Sequence, residues 1–460
     1  MPFDPTIAAI RFGMGLSPTI APPVSVADML ARLAGPDTIA AEFPIPTYKD
    51  VYPSPLDYLD ATRALNAARG TDDEAAADEQ RRQVGQDGGE AMLSFVKADL
   101  NRAAHTEDGF RERLVRFWAD HFTARSTKGI NRHLVSPYIE EAIRPFVMGD
   151  FAEMLIAVVS SPMMIWSLDQ HQSMGPNSRA ARNNVKGLNE NLARELLELH
   201  TLGVGSAYQQ TDVRELAELL TGVYANVQEG GVFRPARAEP GAERVLGVEY
   251  GGGEVASIEE VNAGLRGIAI HPDTARHLAR KLVVHFITPT PDGGLVDAMA
   301  ARYLEDNGAL MGMYGVMLEH ETAWAPDALK VKQPFDFIAS SIRALGVSRD
   351  EIMNAEKGVI RRSIQRPMTV MGQTWQRPVG PDGWPEEEEN WITPQGMAGR
   401  ITWSMQMPRT LLDRLPDPRD FVFTALGPKP PEAVLFAANA AETVSDGVGL
   451  VLASAAFQRR

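Results

Sequence analysis

The chain has 460 residues, 44% of them hydrophobic, and no cysteine. It can bury a large core, but it holds no disulfide, thiolate metal site or cysteine nucleophile. A formal charge of −15 argues against a general affinity for DNA, RNA or anionic membranes, since phosphate binding needs a basic footprint.

The opening stretch MPFDPTIAAIRFGMGLSP has no basic segment followed by an apolar run, so no signal peptide is read there and the cytoplasm is the expected compartment. Nothing along the chain approaches the apolar run of a membrane span. Residues 67–90 carry almost no large apolar groups and many charges, which predicts an exposed insertion, either helix or mobile loop. From 91 to 168 the pattern is helix after helix: MLSFVKADLNRAA, GFRERLVRFWADHFTA, LVSPYIEEAIRPFV and FAEMLIAVVSS. Two basic groups, Arg111, Arg113, Arg116, Arg125, Lys128 and Arg132, then Arg179, Arg182 and Lys186, could hold a small anion, but read first as solvated helix faces. A long polar loop at 169–184 leads into GLNENLARELLELHTLG at 187–203.

Asp212 and Glu215 have capping-box spacing and announce the next helix. Alternating short runs separated by glycines then predict one or two small β-hairpins around 224–254. Helices resume with VNAGLRGIAI, HPDTARHLARKLVVHF, GGLVDAMAARYLEDN and PFDFIASSIRALG. Residues 377–391 form an irregular loop whose Trp384 and Trp391 are expected to pack it onto the C-terminal helices, with stacking on a sugar or base as the other reading. The fold class is therefore mainly α, a large multi-helix bundle with small hairpins, expected as one domain over 1–460.

A helical wheel over GLNENLARELLELHTLG puts Leu188, Leu192, Leu196, Leu199 and Leu202 on one stripe, with Glu195 inside it and Asn191 and Glu198 at its edges. Asn189 suits an N-cap and Gly203 a left-handed end, while Glu190 and Arg194 have i,i+4 spacing. His200 projects away from the stripe, which predicts a cap or surface role. The same construction places His121 and His285 on the apolar faces of their own helices. A buried carboxylate must find a partner, take up a proton or bind a metal. Two histidines and one carboxylate suit non-haem iron or catalytic zinc, with manganese a further option; an unmetallated acid/base pair and a purely structural polar core stay open. No GxSxG, Walker A or HExxH motif occurs.

In its ordered motifs the chain resembles a bacterial family, domain of unknown function 1800. RFGMGLSP at 11–18, FWADHF at 117–122, SPMMIWSLD at 161–169, GLNENLARELLELHTLG with its continuation, HPDTARHLARKLVVHF, KVKQPFDFIASSIRALG, and MGQTWQRP through DGWP carry the resemblance. Where the family shows a His-Asp pair and a Trp after LTG, this chain has Ala238, Glu239 and Val223. The resemblance implies a neighbour of the domain of unknown function 1501 family, phosphatase- or sulfatase-like and exported by a twin-arginine signal. Such a partner would carry this chain into the periplasm. Two functions follow as expectations. One is an enzyme, hydrolytic on an envelope or extracellular carbohydrate or ester, with His121, Glu195 and His285 as its centre and Asn191 and Glu198 orienting them. The other is a non-catalytic accessory to the 1501 partner, touching it through 67–90 and 377–391.

Overall fold

The computed structural model describes residues 2–125, 129–181, 187–253, 255–327 and 329–460; Lys128, Arg182 and Lys186 lie outside them. Helices dominate, and the strands among the described residues form two separate antiparallel pairs. The expected mainly α class is what forms.

Local chemistry sets the helix starts. Asp108 accepts the Arg111 N–H at 3.0 Å and opens the Gly109–His121 helix, while proline occupies the first turn of the Pro272–Phe286, Pro334–Leu345 and Pro394–Gln406 helices, where its missing N–H costs nothing. The helix expected from Asp212 and Glu215 starts one turn earlier, at Gln210: the Gln209 N–H donates to Asp212 Oδ2 at 2.8 Å. Asp212 and Glu215 also brace a hairpin, accepting from the backbone of Leu246 and Arg244, each at 2.8 Å.

That hairpin pairs β3 (Ala242–Val245) with β4 (Val248–Gly251); the one before it pairs β1 (Val223–Asn226) with β2 (Gly230–Phe233), in register Val223 to Phe233. Val223 and Ala225 alternate inward from β1. Gly231 lies against the Ser160 carbonyl, where a Cβ would fall 2.1 Å from that oxygen.

Two apolar cores organise the molecule. The first gathers Phe12, Phe110, Trp118, Phe151, Leu282 and Tyr314, beneath the Gly109–His121, Phe151–Ser160, Pro272–Phe286 and Leu310–Glu319 helices. The second gathers Phe335, Ile338, Trp403, Phe421 and Val451 beneath helices from Pro334 onward. One 32-residue helix, Glu74–His105, serves both: Phe95 and Ala98 enter the first core, Val96 and Leu100 the second. Its first half, with the end of the Pro55–Ala68 helix, makes up the charged 67–90 stretch, and residues 66–83 are mostly exposed.

Candidate functional site

The Gly109–His121 and Pro272–Phe286 helices run antiparallel with facing stripes. Arg113, Phe117 and His121 recur every four residues on one, and His277, Lys281 and His285 on the other, so each set shares a helix face. At one end Arg113 Nη2 lies 3.0 Å from His285 Nε2; at the other the His121 and His277 rings lie 6.4 Å apart, centroid to centroid. Phe117 stands between, 5.2 Å from the His285 ring and 6.2 Å from the His121 ring.

At the first end the polar groups form a chain. Lys330 pairs with Glu386 at 2.8 Å. Glu386 Oε1 meets His285 Nδ1 at 2.5 Å. Arg113 bonds both His285 and Asp336, and Asp336 also accepts Arg116 Nε at 3.1 Å and Arg460 Nη1 at 2.7 Å. A guanidinium only donates, so His285 accepts at Nε2 and carries its proton on Nδ1, toward Glu386. Desolvation lowers the His285 pKa, in keeping with that neutral ring. Desolvation works to raise Glu386, but His285 and Lys330 outweigh it and hold the carboxyl at about 2.

A cavity of about 120 Å³ lies against this chain, at the seam of the two cores. Val115, Val135 and Tyr138 line it from the first core; Phe335, Met368 and Trp375 line it from the second. Trp384, from the 377–391 loop, adds to the wall. Its charged lining includes Asp99, Arg113, Arg116, Asp120, His285 and Asp336. Asp120 Oδ1 accepts the Trp384 N–H at 2.9 Å. Desolvation pushes Asp120 up to about 7, helped by Glu386 and opposed by the Trp384 N–H, Lys281 and Arg116. Desolvation likewise pushes Asp99 up to about 6. Lys281, beside Asp120, is lowered by burial.

At the second end the imidazoles are neutral. His121 Nε2 meets the His200 carbonyl at 3.1 Å, and His277 Nε2 meets the Leu199 carbonyl at 3.1 Å. Desolvation lowers His121 well below its usual range, His200 to about 3 and His277 to about 4. His200 is 1% exposed, which corrects the expected surface or cap role. The cause is a π-helical turn at Leu196–His200 following the Asn191–Glu195 helix. The extra residue in that turn rotates everything after Glu195 relative to a regular wheel. Leu197 and His200 turn inward, and Leu199 is only half-buried. Gly203 does end the segment at φ 91°, and Asn189 Oδ1 accepts the Asn191 N–H at 2.9 Å.

The five residues singled out in the sequence are thus dispersed. His285 joins the ionic chain and the cavity wall, and His121 joins His200 and His277. Glu195 is half-buried, its pKa raised by desolvation and by Glu198 and Asp382. Glu198 lies 3.5 Å from Arg194, and Asn191 is exposed at the helix start. Both nitrogens of His285 are committed and His121 Nε2 faces a carbonyl. Among the described residues no group of three or more His, Asp or Glu is disposed to hold a metal ion. The His121, Glu195 and His285 set therefore does not fit zinc, iron or manganese, and no chemistry is derived through one.

Asp120, Asp99, Lys281, Glu386 and Asp336 were missed in the sequence. Asp120 directly precedes His121, and Glu386 opens a run of four glutamates that reads as solvated surface. The four-residue spacing of His277, Lys281 and His285 was the available signal. The basic group at 111–132 is also corrected in part: Arg111 and Arg113 are 5% and 2% exposed, and Arg111 Nη2 donates to the carbonyls of Leu33 and Gly35 at the end of the Val26–Ala34 helix. Of the 377–391 loop, Trp391 is buried with its N–H on the Pro385 carbonyl at 3.0 Å, and its ring lies 6.0 Å from that of Trp384.

Among the described residues no helix is long and apolar enough to cross a membrane. Neither a curated protein nor a solved structure matches the chain. Residues 7–459 match the family described as Protein of unknown function (DUF1800), and the chain belongs to that family.

Proposed function

We propose that the protein is an enzyme whose cavity carries out acid–base hydrolysis, with Asp120 as general acid and Asp99 as general base. The observation that carries this reading is Asp120: a carboxyl on the cavity wall, one oxygen fixed by the Trp384 N–H, with desolvation keeping it protonated up to about pH 7. A proton donor works best when its pKa lies near the working pH. Asp99, on the same cavity at about 6, is ionised where Asp120 still holds its proton, and two acids with separated pKa values divide the acid and base roles. An ester or glycosidic bond of an envelope or extracellular polymer is the substrate class, its end group entering the cavity. His285 acts as a positioning residue, holding Arg113 and Glu386.

Purified protein assayed on chromogenic esters and glycosides tests the reading. Activity should follow a bell, rising through about pH 6 as Asp99 ionises and falling above about 7 as Asp120 loses its proton. Asp120→Asn should lower kcat roughly a hundredfold or more with the fold intact. Undiminished turnover in that variant would contradict the assignment.

A second reading, the non-catalytic accessory to a domain of unknown function 1501 partner, is favoured by one feature, the mostly exposed charged surface of residues 66–83. Deleting that hairpin tip should abolish co-purification with the neighbour if docking is the function, and leave turnover unchanged if catalysis is.

A further inference from the structure

The ionic chain is unbalanced at its cavity end. Asp336 alone meets Arg113, Arg116 and Arg460 directly, and Lys332 and Arg400 lie within its field. Arg400 donates to Gln458 Oε1 and the Lys332 carbonyl, which are neutral acceptors. Asp336 thus directly answers three guanidiniums, while Asp99 and Asp120, the cavity acids in the field of Arg116, are held protonated by desolvation up to about pH 6 and 7. Buried positive charge without a counter-charge is costly.

Arg116 has its other partners fixed. Its Nε donates to Asp336, and its guanidinium lies 3.7 Å from the centre of the Phe335 ring. Arg116 itself lines the cavity, with its side chain 26% exposed. Two buried donors beside the cavity, Trp375 Nε1 and Arg113 Nε, have no acceptor among the described residues. Unpaired donors around surplus positive charge call for an acceptor that carries negative charge, and a guanidinium edge matches the two oxygens of a carboxylate. Phe335, Met368, Trp375 and Trp384 give the wall an apolar and aromatic part. An engineered cavity of roughly 150 Å³ holds benzene, so about 120 Å³ suits a group of similar size.

We infer that the cavity binds a small carboxylate with an apolar body, free or as the end group of a larger substrate, its oxygens on Arg116 and the Trp375 N–H. The inference rests on the cavity being the substrate site, and it is tested by binding without turnover. Calorimetric titration of the full chain with benzoate should give saturable binding. Benzamide, which has the same shape without the charge, should bind about tenfold more weakly or worse, and inorganic phosphate should also be weaker than benzoate. Arg116→Met should remove the preference for benzoate over benzamide, while Trp375→Phe should weaken both. Equal binding of the two probes by the unaltered protein would overturn the inference, as would no benzoate binding at all. So would phosphate binding that matches benzoate, which would mark a site for free inorganic anions. Preferential benzoate binding together with full turnover by Asp120→Asn would retain the carboxylate site and remove the acid–base reading.

Discussion

Arg113 and His121 lie two turns apart on one helix, in the same apolar surroundings, and the two ends solve the burial of polar groups in opposite ways. Around Arg113 the groups stay charged and meet through short charge-assisted bonds among Lys330, Glu386, Asp336 and Arg460. Around His121 three imidazoles stay neutral, two of them, His121 and His277, leaning on main-chain carbonyls, and the Nδ1 atoms of His121 and His200 have no partner among the described residues. A charged network can hold a surplus that a ligand completes, whereas a neutral cluster has only its protonation state to change. The cavity accordingly adjoins the charged end, and the histidine end is a packing solution sensitive to acid.

The most severe way to break this contrast is at Asp336. Asp336→Ala strands three guanidiniums in a buried setting, and urea unfolding should show a loss of about 3–5 kcal/mol. Acid comes next, and it separates the two ends. The unfolded histidines titrate near 6.5, but burial holds His200 at about 3 and His277 at about 4. Below about pH 6.5 the unfolded chain therefore binds protons that the native state refuses, and stability falls with pH until those folded values are reached. The contribution of Glu386, held at about 2, is full above its unfolded value near 4.3 and is lost only as pH falls from there. Chemical denaturation across pH 7 to 3 should thus lose stability in two windows. His200→Gln should make the upper one shallower, leaving the His277 share, and Glu386→Gln should do the same to the lower one.

Gly203→Ala should cost roughly 2 kcal/mol, because the residue sits at φ 91° and its new Cβ would fall 2.6 Å from His277 Nδ1. A thermal melt reads that loss. The smallest effect is at the outward face of the same segment, where Arg194 pairs with Glu190 at 3.2 Å and Glu198 at 3.5 Å in partly exposed surroundings. Arg194→Ala should shift stability by about 0.5 kcal/mol or less.

Periodicity carried the helices, the paired hairpins and the inward histidines because apolar spacing reports directly on which face is buried. It went astray where backbone geometry left the regular helix: nothing in LLELH announces a π-helical turn, yet that turn decides whether His200 faces water or core. It also went astray where a charge is buried by a distant partner. Arg113 and Asp336 are 223 residues apart, and each alone resembles an ordinary surface charge. Glu386 sits in an acidic run whose remaining members give no hint that the first one bonds a histidine. A site at the seam of two cores is written in pairings between helices, and a single helical wheel reads one partner at a time.

The proposed catalysis turns on Asp120 holding a proton near neutrality on the wall of the cavity. Carbon-13 NMR of labelled aspartate carboxyls, titrated from pH 4 to 9, tests it directly. One carboxyl should titrate at about 7, and its signal should vanish in Asp120→Asn. An Asp120 signal that titrates in the ordinary carboxylate range near pH 4 would contradict it.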